Sequence, residues 1–216
     1  ARRRDRLEQL VERMDDRART LVVEADITDE SAARAMVENT IREFGRLDIV
    51  INNAGVMLLG PIVDAPVEEW RSMVGINLLG LLYTTHAALP HLLRAAEAEP
   101  RRVADLVNVS STAGRVARLG SGVYNATKFG VVAFTESLRQ EVTRRHLRVS
   151  VVEPGAVMTE LAGHNRPEVI EVMAATFGQT ELMRSEDIAE SILFTVTRPR
   201  HVAVNEVLVR PTEQER

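Results

Sequence analysis

The chain contains no cysteine. That removes disulfides, thiolate metal ligands and a cysteine nucleophile together, and it fits a protein kept in a reducing cytoplasm. Aromatic residues make up only 4% of the sequence, so Leu, Val, Ile and Ala must supply most of the packing. No uninterrupted apolar stretch approaches the roughly 18 residues of a membrane span. The charged N-terminal residues lack the apolar core of a signal peptide. An excess of positive charge is missing too. The formal net charge of −4 gives no electrostatic footprint for nucleic acid or an anionic membrane, and the run Arg2-Arg3-Arg4 is answered at once by Asp5. His86, His91, His146, His164 and His201 show no metal-ligand spacing, so no metal site is expected.

What is there suits one domain over residues 1–216, with 45% apolar residues to build a core. Helical periodicity covers 6–17, with Leu7, Leu10, Val11 and Met14 on one face, and 29–44, closed by Gly45. Pro66 opens a third helix running towards Leu93, a fourth covers 123–145, and Ser185 caps a fifth. Between them, 21–23, 47–51, 106–109, 149–152 and 201–209 read as strands. Strict alternation of this kind implies a parallel sheet with helices on both faces. The near-continuous apolar strands agree, since such strands are covered on both sides. Residues 159–167 form the most irregular stretch and read as a mobile loop.

In open parallel sheets ligands bind beyond the carboxyl ends of the strands. Four successive strand ends here carry suitable residues: Asp26, then Asn52-Asn53-Ala54-Gly55, then Ser110-Ser111, then Pro154-Gly155. Tyr124 and Lys128 lie four apart on a helix and so share a face. An ammonium beside a phenol favours its ionised form, which would let the tyrosine exchange protons near neutrality. Ser111 would aim a second hydroxyl at the same point, completing a device that holds and protonates a carbonyl oxygen. Each piece has a plainer reading. Asn-Asn-Ala-Gly is a common turn, Tyr-x-x-x-Lys an exposed helix pair, Asn77 a satisfied helix residue and Asp26 a helix cap. Their order at successive strand ends favours a site.

These stretches, together with Asp26-Ile27, Val107-Asn108-Val109-Ser110-Ser111, Tyr124-Asn125-Ala126-Thr127-Lys128 and Pro154-Gly155-Ala156-Val157-Met158-Thr159, resemble the short-chain dehydrogenase/reductase family over essentially the whole chain. The resemblance implies a Rossmann-like doubly wound α/β fold and an enzyme interconverting an alcohol and its carbonyl. It makes Tyr124 the proton donor or acceptor and Lys128 the group that lowers its pKa and binds the nicotinamide ribose. Ser111 would hold the substrate oxygen, and Asn77 a water chain to Lys128. Asp26 and Ile27 would border the adenine, and Asn53, Ala54 and Gly55 would line the cofactor. Val157, after Pro154 and Gly155, would meet the carboxamide through its backbone, and Thr159 the nicotinamide end.

The opening arginines look like the basic form of the family's ribose loop. A guanidinium matches a 2′-phosphate, so Arg2 and Arg3 favour NADP over NAD. Residues 158–180 are expected to cover the substrate, and the tail 205–212 looks like members acting on hydroxy acids or small aldehydes. Relatives pair through the helices carrying Asn77 and Tyr124, implying a homodimer or homotetramer. The family's opening strand, glycine-rich turn, helix and second strand have no counterpart, so the sheet is expected to lack its first two strands. The chain then reads as an incomplete copy of an ordinary enzyme, or as a fragment acting as a binding or structural subunit. A lyase or epimerase on the same scaffold is the enzymatic rival.

Overall fold

The computed structural model describes residues 1–14, 19–63, 65–178 and 180–215, except the side chains of Thr176 and Phe177. Strands β1 (Ile49–Asn52), β2 (Ala104–Val109), β3 (Leu147–Pro154) and β4 (Glu206–Val209) pair in chain order, all parallel. Every carboxyl end therefore opens on the same edge of the sheet. The helices are α1 (Arg4–Glu12), α2 (Glu30–Phe44), α3 (Val67–Met73), α4 (Gly80–Glu97), α5 (Gly122–Val142), α6 (Pro167–Phe177) and α7 (Ser185–Val196). Local chemistry accounts for several boundaries. Asp29 accepts from the backbone N–H groups of Ser31 and Ala32 to start α2, and Gly45, at φ 75°, ends it.

The main core lies where α2, α4 and α5 meet the sheet. Ala88, Leu92, Leu106, Leu147 and Val149 are buried there. Each large side chain contributes about 1.5–3 kcal/mol by leaving water. A second cluster, with Val107, Val152 and Ile188, sits under α7.

Some expected elements differ. Residues 21–26 pair with no strand among the described residues; the Ala25 N–H bonds the Ala1 carbonyl instead. Apolar content alone does not make a strand without a neighbour to complete its hydrogen bonds. Helix α1 is shorter than expected and has no buried residue; Leu10 on it and Met14 beyond its end are about half exposed. Part of the expected 6–17 helix, residues 15–18, lies outside the described residues. The last strand is confined to Glu206–Val209. Ser185 is the first residue of α7, not its cap: the Asp187 carboxylate accepts from the Arg184 N–H at 2.7 Å.

The 159–167 stretch is built rather than irregular. Thr159 caps a 3₁₀ turn over Glu160–His164. Asn165 accepts from the Leu59 N–H at 2.7 Å and donates to the Ala162 carbonyl at 3.0 Å. Residues 67–97 also depart from expectation. They run as one helical stretch, long and apolar enough by length and composition to cross a bilayer. Its buried face packs against α2 and the sheet through Thr85, Ala88 and Leu92.

At the amino end of the sheet Asp105 is buried and faces Arg148 across the β2–β3 register. Arg148 grips it with Nε–Oδ1 at 2.6 Å and Nη2–Oδ2 at 3.0 Å, and Arg101 adds a bond of 2.7 Å. Arg148 also donates to the carbonyls of Val196, Arg198, Pro199 and Val202, tying the end of α7 to the sheet. Asp105→Ala leaves a buried guanidinium unpaired, so urea unfolding should show a loss of roughly 3–5 kcal/mol. Arg101→Ala, at a more exposed position, should cost about 1 kcal/mol or less. Equal costs would contradict the assignment.

Candidate active site

Three segments converge at the carboxyl edge. The first is the loop after β1. Between α3 and α4 the helix widens to a π-helix over Val74–Leu79, a form found mostly as short functional bulges. It carries Asn77, which is fully buried. Asn77 accepts from the Val56 N–H at 2.7 Å and donates to the Val56 carbonyl at 2.8 Å and to Thr127 Oγ1 at 3.2 Å. It thereby fastens the loop to α5. A Cβ built on Gly55 would stand 3.5 Å from Asn77 Oδ1 and 3.7 Å from Lys128 Nζ. The exposed Asn53-Ala54-Gly55 backbone thus runs past the lysine with room for a ligand.

The second segment follows β2. Ser111 caps a 3₁₀ turn over Thr112–Gly114, accepting from the Ala113 N–H at 3.1 Å. Gly114 packs so closely that a Cβ there would stand 2.9 Å from the Lys128 carbonyl oxygen. Arg115, just past the turn, donates to the buried Glu153 at 2.6 Å, which ties this loop to β3.

The third segment is the start of α5, where Tyr124 and Lys128 are both buried. Lys128 donates to the Val109 carbonyl at 3.0 Å, and its Nζ lies 5.8 Å from the centre of the Tyr124 ring. It is the only lysine among 27 basic residues.

Burial, rather than mutual attraction, sets the titration of this pair. It pushes the Tyr124 phenol up, against a hydrogen bond from Ser111 that pulls it down. It pulls Lys128 down from 10.5 to about 8. The expectation that the ammonium brings the phenol to neutrality is therefore corrected. Both groups lose water, and desolvation disfavours whichever form is charged.

Ser111 and Tyr124 share a cavity of about 380 Å³ with apolar walls that include Met57, Leu59, Ile170 and Met173. Helix α6 supplies part of the wall, as the covering role expected for 158–180 requires. Gly155 and Val157 line the cavity as well. Val157 bridges to Met183 through its neighbours: Met158 donates to the Met183 carbonyl and Met183 to the Ala156 carbonyl. The N–H and C=O of Val157 consequently point away from that bridge. Thr159 sits beyond them as the cap of the 3₁₀ turn.

Other expected contacts lie further out. Asp26 accepts from the backbone and hydroxyl of Thr28, which lowers its pKa, and lies 3.8 Å from Arg2. Asp29, not Asp26, caps α2. Ile27 packs onto Gly80 of α4. Arg3 pairs with Glu160 at 3.1 Å. Two features have no counterpart in the sequence reading. One is a buried polar chain in which Asn52 donates to Thr85 and Asn108, and Asn108 to Thr135, linking α4, the sheet and α5. The other is Arg118 on the cavity wall. Facing side-chain amides on neighbouring strands are invisible without the register; the lone lysine was countable.

A family model for short chain dehydrogenases matches residues 1–169. The chain belongs to that family. It is 35% identical to an uncharacterized oxidoreductase of Staphylococcus aureus (strain USA300) over 88% of this chain and 75% of that one. It is 32% identical to one from Staphylococcus epidermidis over 97% and 84%. The closed form of a serine dehydrogenase complexed with NADP+ superposes with a TM-score of 0.88 at 31% identity, covering all of this chain and 84% of the other. The 3-ketoacyl-(acyl-carrier-protein) reductase of Brucella melitensis, complexed with NADH, gives 0.83 at 26% identity over 97% and 84%. This short-chain dehydrogenase is thus an oxidoreductase on a Rossmann-like α/β sheet.

Holding Lys128 at about 8 rather than 10.5 corresponds to about 3 kcal/mol of lost folding stability. The cost is complete below a pH of about 8 and is recovered as pH rises towards 10.5, because the unfolded chain binds the extra proton in that window. Lys128→Met removes the buried charge but leaves the Val109 carbonyl without its donor, a loss of about 1 kcal/mol. It should therefore stabilise the ligand-free protein by on the order of 2 kcal/mol at neutral pH, with the advantage shrinking above pH 8. Thermal unfolding across pH reads this. Destabilisation at neutral pH would contradict it.

Proposed function

We propose that this short-chain dehydrogenase interconverts a primary or secondary alcohol and its carbonyl, with NADP as hydride carrier and Tyr124 as proton donor and acceptor. One observation carries the reading: hydroxyls from two different elements, Ser111 and Tyr124, face one cavity with the sole lysine buried behind the tyrosine. NADP supplies or takes the hydride when bound, and the protein's part is orientation and proton transfer.

In the reducing direction Ser111 and Tyr124 hold the substrate carbonyl oxygen. As the carbon gains a hydride, the Tyr124 phenol gives that oxygen its proton. Lys128, below its pKa of about 8, stabilises the phenolate left behind. In the oxidising direction the phenolate takes the hydroxyl proton back. Burial keeps the free phenol protonated at neutral pH, which is the form reduction uses. Asn77 has a remaining Oδ1 lone pair to anchor water beside Lys128, a positioning role for proton resupply.

The residues fit the cofactor. The Asn53-Ala54-Gly55 backbone is open beside Lys128. The Val157 N–H and C=O have no hydrogen-bond partner among the described residues, which suits them to a carboxamide. The exposed Arg2 and Arg3 favour a 2′-phosphate, and the serine dehydrogenase relative was solved with NADP+. Subunit contacts are assigned to α4 and α5, where Leu82, Leu89 and Phe134 line an outward groove. A homodimer or homotetramer through this face is part of the proposal.

Tyr124→Phe should lower kcat/KM for carbonyl reduction by about 10²–10⁴-fold while NADPH binding persists. Wild-type reduction should fall as pH rises through about 8, where Lys128 loses the charge that stabilises the phenolate. Undiminished turnover by Tyr124→Phe would remove the tyrosine from the mechanism.

A further inference from the structure

The cavity shared by Ser111 and Tyr124 has largely apolar walls, with the uncharged polar groups of Ser111, Thr112, Ser121, Tyr124 and Gln214 among them. Arg118 is the only charged residue among the described residues that line it. Its Nη2 is buried without a hydrogen-bond partner, and no carboxylate among the described residues comes within ion-pair distance. Arg115, three residues earlier, differs sharply: it is held by both Glu153 and Glu206. Leaving a buried donor atom of a charged group without an acceptor is costly, so the half-buried Arg118 presents to this cavity a donor that a bound anion would satisfy.

The arginine is also held in place. Asn125, buried and adjacent to Tyr124, accepts from the Arg118 N–H at 3.2 Å. Its amide donates to the Ala113 and Val116 carbonyls at 2.6 and 2.9 Å. One buried side chain therefore fixes the loop that presents Arg118 to the helix that presents the tyrosine.

We infer that Arg118 anchors a substrate carboxylate, so that the site selects hydroxy acids and their oxo acids over neutral alcohols and carbonyls. The inference rests on the hydride-transfer reading above and names its substrate class. A guanidinium fork matches a carboxylate in bidentate fashion. A phosphate ester is disfavoured, because its second charge would meet no second cation in this cavity. The apolar wall of Met57, Leu59, Ile170, Met173 and Leu182 receives the hydrocarbon part. At about 380 Å³ the space lies near the small end of ligand sites, which suits a short acid.

The test compares racemic 3-hydroxybutanoate with its methyl ester at millimolar NADP. The acid should lead in kcat/KM by about tenfold to a hundredfold, the worth of a charge-assisted pair. Arg118→Leu should abolish that preference through KM while sparing the ester. Arg118→Lys should keep part of it, since an ammonium retains the charge but not the fork. Equal turnover of acid and ester by the wild type, or equal losses for both in Arg118→Leu, overturns the assignment. Isothermal titration with isovalerate, which has no reacting hydroxyl, reads the anchor without turnover. Binding that Arg118→Leu loses upholds the anchor even if neither probe is oxidised, and the hydride-transfer reading alone then falls. Isovalerate binding that is absent, or equal in both proteins, overturns the anchor.

Discussion

The ammonium of Lys128 is taken out of water and given one main-chain acceptor, the Val109 carbonyl at 3.0 Å, and the design of the site follows from that cost. A lone buried cation is tolerated only where its surroundings are fixed and its proton is useful. Here the fixing is elaborate. Asn77 fastens the loop after β1 to α5, Ser110 bonds the Lys128 carbonyl, and Gly114 allows the Ser111 turn to press against the same residue. The lysine on α5 thus sits where the loops after β1 and β2 meet, with its Nζ 5.8 Å from the centre of the Tyr124 ring.

Rigid support extends through the sheet. The Asn52–Asn108 pair joins β1 to β2 at the level of the site and reaches α4 and α5 through Thr85 and Thr135. At the opposite end Asp105 and Arg148 lock β2 to β3 and to the end of α7. Such a buried polar network favours one register of the sheet, and the register decides which residues stand at the carboxyl edge. The Asp105–Arg148 pair anchors the amino end of the strands, while the Arg115–Glu153 pair and the Ser111 and Tyr124 hydroxyls stand at the carboxyl end.

Much of this was legible in the sequence. Alternating apolar runs and helical periodicity gave β1 to β3 and most helices, because those elements bury continuous surfaces. Tyr124, Lys128, Ser111 and Asn77 were identifiable through their spacing and a family resemblance. Other features depend on three-dimensional neighbours. Residues 21–23 are as apolar as a strand but have no ladder partner, and only pairing makes a strand. The π-helix around Asn77 leaves no periodic mark. The direction of the Tyr124 shift reversed because sequence spacing reveals a neighbouring charge but not the lost water. Arg118 read as one arginine among many until the cavity singled it out.

One sequence feature makes the central claim directly measurable. Because the chain contains a single lysine, protein made with lysine carrying ¹³C at Cε gives one side-chain resonance that needs no assignment. Its chemical shift, followed against pH in the ligand-free protein, reports the Lys128 titration itself. A midpoint near 8 is the result predicted for an ammonium buried as Lys128 is. A midpoint at the ordinary lysine value of 10.5 would mean that Lys128 is solvated, and the account of the site built upon its burial would be wrong.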